Sequence, residues 1–497
     1  MRQGSGETLD GARVAVVGLG TSGRAALEVL GTTGATALAG YDAAEAAVDA
    51  AREGGEVPSG TALAAVADPG ELADRVLGGS PDVVVVSPGV PATSPLHARA
   101  AAAGVTLWSE VELAWQVQAR RPDGTRAPWL TLTGTNGKTT TVAMLSAMLT
   151  AAGEHAPAVG NVGTPIVRVA AGGEADVLAV ELSSFQLHAT LSVSPEASAC
   201  LNIAPDHLDW HGSFEAYRAD KARVYDRTRT ACVYNEDAPL TRAMVEQADV
   251  VEGCRAVGTT TGTPAVGQLG IVEEYLVDRA FGQSLAQRRT TAVELATTAD
   301  LTHLAPGGQV PGHVLANALA AAALARAHGV DPRHVRQGLR DYRSGTHRIE
   351  VVAEIDGVAY VNDSKATNAH AAAASLGALA PGTVVWIAGG LAKGADFDDL
   401  VEAHRDRLRA VVLIGVDREP LRGALARHAA DVPVLEVVPG EDGPVMTRAV
   451  AEAARLARPG DTVLMAPASA SMDQFRDYAE RGEAFARAAR ALPGGTR

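Results

Sequence analysis

Lysine is scarce in this 497-residue chain: Lys138, Lys221, Lys365 and Lys393 stand against 39 arginines. Arginine cannot replace lysine where a compact point charge or a nucleophilic amine is needed. The four positions therefore mark candidate chemistry. Lys138 lies in TLTGTNGKTT (131–140), which carries the parts of a P-loop in order. Successive backbone N–H groups can cradle phosphates, the lysine can reach the β- and γ-phosphates, and Thr139 offers a hydroxyl for Mg²⁺. A full G-x-x-x-x-G-K-[ST] string would need glycine where Leu132 stands. Lys221 closes NIAPDHLDWHGSFEAYRADK, shortly after Asp206, His207 and Asp209. Glu181 in AVELSSFQL ends a strand-like run, where a carboxylate can hold a cation facing the P-loop hydroxyl. Lys365 in NDSKATN and Lys393 in IAGGLAKGADF also follow strand-like runs. Each has a bland reading: a lone histidine is more often structural than a ligand, and a strand-end charge is often simply solvated.

A fifth motif needs no lysine. GLGTSG places Gly18, Gly20 and Gly23 between a strand and a helix, and Asp42 ends the next strand. Such glycines let the backbone approach a pyrophosphate at a helix N-terminus, and the carboxylate can meet a ribose. The ligand would be a nucleotide or a nucleotide-sugar diphosphate; the alternative is a tight strand–helix turn with no ligand.

These loops need strands to hold them. RVAVV, TALAGYD and DVVVVSPG alternate with Ala/Leu-rich helical stretches, the pattern of a parallel sheet covered on both faces. PWLTLTGTNGKTT opens a second such segment, and VVAEIDGVAYVNDS, TVVWIAGG, RAVVLIG and DTVLMAP build a third. The expected fold is α/β in three domains. Residues 1–126 form a Rossmann-like domain, 127–345 a central P-loop ATPase-like parallel sheet, and 346–497 a second Rossmann-like domain. ARRPDGTRAP (119–128) reads as the first linker. Residues 255–311 are rich in Thr, Gly and Ala and carry no pattern that assigns them a role.

The net charge of −15 and the lack of a basic stripe argue against nucleic acid as a partner. Three cysteines without paired spacing read as a reduced, cytoplasmic protein. MRQGSGETLDGARVAVVG lacks the apolar core of a signal peptide. No apolar run reaches the ~20 residues of a membrane span.

TGTNGKTT, GNVGTP, ELSSFQL, DHLDWHG, YRADKARVY, PGHVLAN, HRIE, NDSKATN and ASMDQF, in this order, resemble the Mur ligases. These are three-domain, ATP-dependent amide ligases of peptidoglycan synthesis, and the resemblance covers nearly the whole chain. GLGTSG, ELSSFQL and NDSKATN are most similar to the D-glutamate-adding branch; the D-N-P-R string expected of a diaminopimelate-adding member is absent. The resemblance implies that Gly20, Thr21, Ser22 and Asp42 hold a UDP end, with Ser87 and Gly89 nearby and Asn161 toward the sugar–lactoyl part. It assigns ATP to Gly134, Thr135, Asn136, Gly137, Lys138, Thr139 and Thr140, with Asn317, Arg348 and Asp363. It assigns Mg²⁺ to Thr139, Glu181, His207 and Lys221, the lysine as a carbamate, and D-glutamate to Lys365, Thr367, Lys393, Ser471 and Tyr478. Lys138, His207 and Lys221 would be the catalytic set. The implied partners are UDP-N-acetylmuramoyl-L-alanine and D-glutamate, joined through an acyl phosphate by a monomer. This chain departs from the family pattern at Val314, at Ala43 and Ala44, and at Tyr478, where Phe is more usual. Another Mur-type ligase or a folylpolyglutamate synthase-like ligase is the alternative within the fold. A nicotinamide dehydrogenase would use GLGTSG but not the P-loop, and a non-catalytic nucleotide sensor would have no use for four placed lysines.

Overall fold

Short apolar runs become strands because both of their faces are covered. The computed structural model describes residues 9–121, 123–282, 284–305, 310–343, 345, 349–438, 440 and 443–494. In it VVVV becomes β4 (Val83–Val86) with all four residues buried, and RVAVV becomes β1 (Arg13–Val17) with only Arg13 exposed. With β2 (Ala37–Asp42), β3 (Ala62–Ala65) and β5 (Thr106–Ser109) they form a parallel sheet in the order β3-β2-β1-β4-β5. The order reverses between β1 and β4. Ligands of open α/β sheets bind at such a switch point, beyond the carboxyl ends of the strands. GLGTSG follows β1 and Ser87-Pro88-Gly89 follows β4, so the two loops border one crevice.

The second sheet is built from β6 (Trp129–Thr133), β7 (Ala158–Gly160), β8 (Leu178–Glu181), β9 (Ala197–Cys200) and β10 (Ala231–Asn235). It continues into β11 (Arg255–Thr259), β12 (Gln268–Val272), β13 (Tyr275–Asp278) and β14 (Val293–Thr297). The order is β14-β13-β12-β11-β10-β9-β6-β8-β7. It is parallel from β7 to β12, and the last three strands form an antiparallel meander. The stretch unassigned from sequence thus adds β11, β12, β13 and β14 to the second sheet. The P-loop follows β6, and β8, carrying Glu181, pairs directly beside it.

The third sheet takes β15 (Glu350–Ile355), β16 (Val358–Asn362), β17 (Val384–Gly389), β18 (Leu408–Ile414), β19 (Val434–Glu436) and β20 (Thr462–Met465). Its order is β15-β16-β20-β17-β18-β19, parallel except for the β15–β16 hairpin. The loops after β16, β17 and β20 therefore leave neighbouring strand ends; they are NDSKATN, GGLAKG and ASASMDQF. The chain divides into two compact units: the described parts of Met1–Asp300 with Leu315–Tyr342, which hold the first two sheets, and of Leu301–Val314 with Arg343–Arg497, which hold the third.

Candidate active site

The P-loop closes on itself around one carbonyl oxygen. Gly137 sits at φ 83°, and a Cβ there would fall 2.4 Å from Asn317 Oδ1. Only glycine supplies both that conformation and that clearance, so the buried Asn317 lies directly against the loop. From the helix Lys138–Ala151, Lys138 Nζ donates to the Gly134 and Thr135 carbonyls at 2.9 Å each. Lys221, 2% exposed, donates to the same Gly134 carbonyl at 2.8 Å and to Thr133 Oγ1 at 3.2 Å. Lys221 is therefore a buried amine and not a solvated charge on a helix surface. Two amines share one acceptor, and Lys221 also lies 5.0 Å from the Tyr217 ring centre. Burial first, and the Lys138 charge second, pull the Lys221 amine down to about 7. Tyr217 also fixes the loop, its hydroxyl 2.9 Å from Thr135 Oγ1. The Asn136 amide donates to Asn202 Oδ1 at 2.8 Å. Thr139 and Thr140 lie in the first turn of the helix, at the phosphate end of the loop.

Beside this loop Glu181 is 1% exposed. Asn161 Nδ2 donates to its Oε1 at 2.9 Å, while its Oε2 is buried with no hydrogen-bond partner. An unsatisfied buried carboxylate oxygen is costly, and a cation would relieve it. Among the described residues, no three His, Cys, Asp or Glu side chains form a ready metal cage. Mg²⁺ binds through one or two carboxylates and completes its octahedron with phosphate oxygens and water, and the unsatisfied Glu181 Oε2 offers one such carboxylate. The donor set therefore fits the ion.

His207 stands at φ 52° at the start of the turn Leu208–His211. Its ring lies 4.8 Å from Phe185 of ELSSFQL, and Trp210 Nε1 donates to the Pro88 carbonyl at 3.2 Å. The DHLDWHG turn is thus held between the Glu181 loop and the loop that follows β4.

In the first sheet Gly20, Thr21, Ser22, Asp42, Ser87 and Gly89 line one cavity of about 500 Å³. Nothing lies within 4 Å of where a Gly20 Cβ would be. Asp42 accepts from the Leu19 amide at 2.7 Å and from the Ala44 amide at 2.9 Å. Its carboxylate therefore braces the glycine loop as well as facing the cavity. Ser87 Oγ donates to the Gly18 carbonyl at 2.8 Å and ties the two rims together. Asn161 is not among the residues lining this cavity; it follows β7 of the second sheet and bonds to Glu181.

In the other unit, Lys365 Nζ lies 3.3 Å from the Tyr478 hydroxyl and 4.8 Å from its ring centre. The family departure at Tyr478 thus gives Lys365 a polar partner as well as a π face. Leu391 and Ala470 pair through both backbone hydrogen bonds, so the Lys393 and Ser471 loops run side by side. Thr367 is tied back to Lys365 through its amide. Ser375 Oγ donates to Asp363 Oδ2 at 2.5 Å. Arg348 lies outside the described residues.

One buried network escaped the sequence reading. Asp220 accepts from His188 Nδ1 and His211 Nδ1, each at 2.9 Å, and His211 Nε2 lies 2.9 Å from Ser184 Oγ. Burial lowers the His211 pKa, so the neutral ring donates to Asp220 and accepts from Ser184. The order Asp–His–Ser mimics a nucleophile triad, but Ser184 is 2% exposed. The network secures the ELSSFQL turn behind Glu181. Its sequence signal is weak, because His188, His211 and Asp220 lie up to 32 residues apart.

A lysine-bearing P-loop on one parallel sheet and a glycine-loop cavity on another define the class as a nucleotide-binding α/β protein. Residues 132–325 match the Mur ligase middle domain, and residues 347–469 match the Mur ligase, glutamate ligase domain. The chain is 53% identical to the UDP-N-acetylmuramoylalanine–D-glutamate ligase of Streptomyces avermitilis, over 97% of this chain and 98% of that protein. It is 51% identical to the protein of the same name from Thermobifida fusca, over 98% and 100%. In fold it is similar to the crystal structure of a UDP-N-acetylmuramate–alanine ligase from Thermotoga maritima, with a TM-score of 0.54 at 16% identity, over 96% of this chain and 98% of that one. The chain belongs to the Mur ligase family.

Proposed function

We propose that this protein is an ADP-forming ligase of peptidoglycan synthesis that joins D-glutamate to UDP-N-acetylmuramoyl-L-alanine. The observation that carries the reading is identity of about half over nearly the full length with relatives of that name. The UDP end is assigned to the first-sheet cavity, where Gly20, Thr21 and Ser22 present a helix N-terminus to a pyrophosphate. Asn161 would meet the lactoyl side. ATP is assigned to the P-loop with Asn317, and Arg348 and Asp363 are proposed as further contacts. D-glutamate is assigned to Lys365, Thr367, Lys393, Ser471 and the Tyr478 backbone.

In the reaction the alanyl carboxylate attacks the γ-phosphate, giving an acyl phosphate and ADP. The D-glutamate amine then attacks the acyl carbon, and phosphate leaves. Such chemistry is mostly positioning and charge stabilisation. Lys138 offsets the repulsion between a carboxylate and a triphosphate. Thr139, Glu181, His207 and Lys221 would hold Mg²⁺, which supplies Lewis-acid neutralisation of phosphate charge when bound. Lys221 is suited to carbamate formation: near pH 7 much of its amine is neutral, the form that adds CO₂ to give R–NH–COO⁻ and H⁺. A carbamate would turn a crowded cation into an anion facing Lys138.

Among the described residues no helix is long and apolar enough to cross a membrane. A cytoplasmic monomer without nucleic-acid partners remains our reading. The test is ADP release from purified protein given ATP, Mg²⁺ and UDP-N-acetylmuramoyl-L-alanine. Turnover is expected with D-glutamate and not with L-glutamate, L-alanine or diaminopimelate. Turnover with one of the others and none with D-glutamate overturns the reading.

A further inference from the structure

The third-sheet unit buries a charge that the assigned chemistry leaves unused. Arg481, in the first turn of the helix Tyr478–Arg490, is 1% exposed. Its Nε donates to Ser364 Oγ at 3.0 Å, its Nη2 to the Ser364 carbonyl at 2.9 Å and its Nη1 to the Ser469 carbonyl at 3.0 Å. Ser364 Oγ in turn donates to the Tyr478 carbonyl at 2.7 Å. A Cβ on Gly390 would lie 3.2 Å from Arg481 Nη1 and 2.3 Å from the Ala470 carbonyl. Gly390 has φ 136°, so glycine alone admits the guanidinium this close to the β17 loop.

Three loops therefore meet at one side chain. Ser364 immediately precedes Lys365, Ser469 lies two residues before Ser471, and Gly390 lies three before Lys393. Among the described residues no carboxylate lies within the 4.0 Å of an ion pair with Arg481, and the Asp473 charge acts on it from farther off. All three acceptors are neutral. Burying a cation among neutral acceptors, with the Asp473 carboxylate acting on it only from a distance, is expensive. Burial lowers the guanidinium only to about 10, so it stays charged at neutral pH. A structural brace alone could have been neutral. A planar fork holds acceptors on two loops in fixed directions, whereas an ammonium's three donors rotate on a flexible stem.

We propose that Arg481 is the positioning residue of the amino-acid site: its guanidinium holds the loops carrying Lys365, Lys393 and Ser471 in register, so that the two lysines meet an amino acid with two carboxylates. This rests on the D-glutamate assignment above. Arg481→Lys keeps the charge and removes the fork. It should raise the D-glutamate KM by about tenfold or more while the KM values for ATP and the UDP substrate stay within about twofold. Ser364→Ala removes one acceptor and leaves the guanidinium in place, and should raise the D-glutamate KM about threefold. It decides the matter if Arg481→Lys does not fold. An unchanged D-glutamate KM in the folded variants overturns the proposal, as does an equal rise in all three KM values, which would mark general structural loss. Lys365→Ala and Lys393→Ala separate the two readings. If they raise the D-glutamate KM and the Arg481 and Ser364 variants do not, the site stands and the positioning role falls. If none of the four does, the D-glutamate assignment itself falls.

Discussion

Lys221 and Lys365 are the same residue placed in opposite settings. Lys221 is buried beneath the P-loop, shares the Gly134 carbonyl with Lys138 and titrates near neutrality. Lys365 is partly exposed and rests on a tyrosine face and its hydroxyl. The first setting favours loss of a proton, and so favours chemistry at nitrogen. The second presents the amine at a loop surface, where it can meet an anion. In the second region the buried, permanent charge is an arginine instead. Lysine stands where an amine or a compact charge faces a ligand site in our reading; the buried brace between loops is a guanidinium.

The largest effect expected is at Lys138. Lys138→Ala should lower ADP release by about a thousandfold or more, as loss of a preorganised charge does, while the UDP substrate still binds. Turnover within about tenfold of wild type would end the P-loop assignment. Next comes the contrast at Lys221. Lys221→Arg and Lys221→Ala should both fall about a hundredfold or more, because neither can form a carbamate. Added formate or acetate should partly restore the Ala variant, where the deleted side chain leaves room for a small carboxylate, and not the Arg variant. A fully active Lys221→Arg enzyme would erase the distinction between the two settings. The lysines of the third sheet should behave differently. Lys365→Ala or Lys393→Ala should raise the D-glutamate KM about tenfold, with the ATP KM within about threefold.

How much of this was legible follows from the same contrast. Loops at strand ends show in sequence because their glycines, lysines and hydroxyls are local: GLGTSG, GTNGKTT and NDSKATN each announce a strand–loop–helix unit. β11–β14 did not show, since strands of four or five residues broken by Gly and Thr turns leave little periodicity. Contacts that depend on topology were also hidden. Sequence marked Lys221 as unusual but could not place its amine on the carbonyl that Lys138 uses. Nothing in AERGEAF sets Arg481 apart from the other arginines, because its burial comes from Ser364 and Ser469, 117 and 12 residues away. Cys232 and Cys254 are free thiols, as the sequence reading expects, but spacing did not show that their sulfurs lie 3.8 Å apart, Cys232 in β10 and Cys254 just before β11.

The smallest predicted effect refines the exposed side of the comparison. Tyr478 offers Lys365 both a ring face and a hydroxyl, and the two can be separated. An exposed hydrogen bond contributes about 1 kcal/mol or less, and an exposed cation–π contact about 0.5–1 kcal/mol. Tyr478→Phe keeps the ring, so it should raise the D-glutamate KM only about two- to fivefold. Tyr478→Leu loses both contacts and should raise it about tenfold. kcat at saturating D-glutamate should hold in both variants, because neither contact touches a reacting atom. A Phe variant as impaired as the Leu variant would mean that the hydroxyl orients Lys365 and the ring does not. Lys365 would then depend on a fixed hydrogen-bonded geometry, as Lys221 does, and the two settings would differ in burial alone.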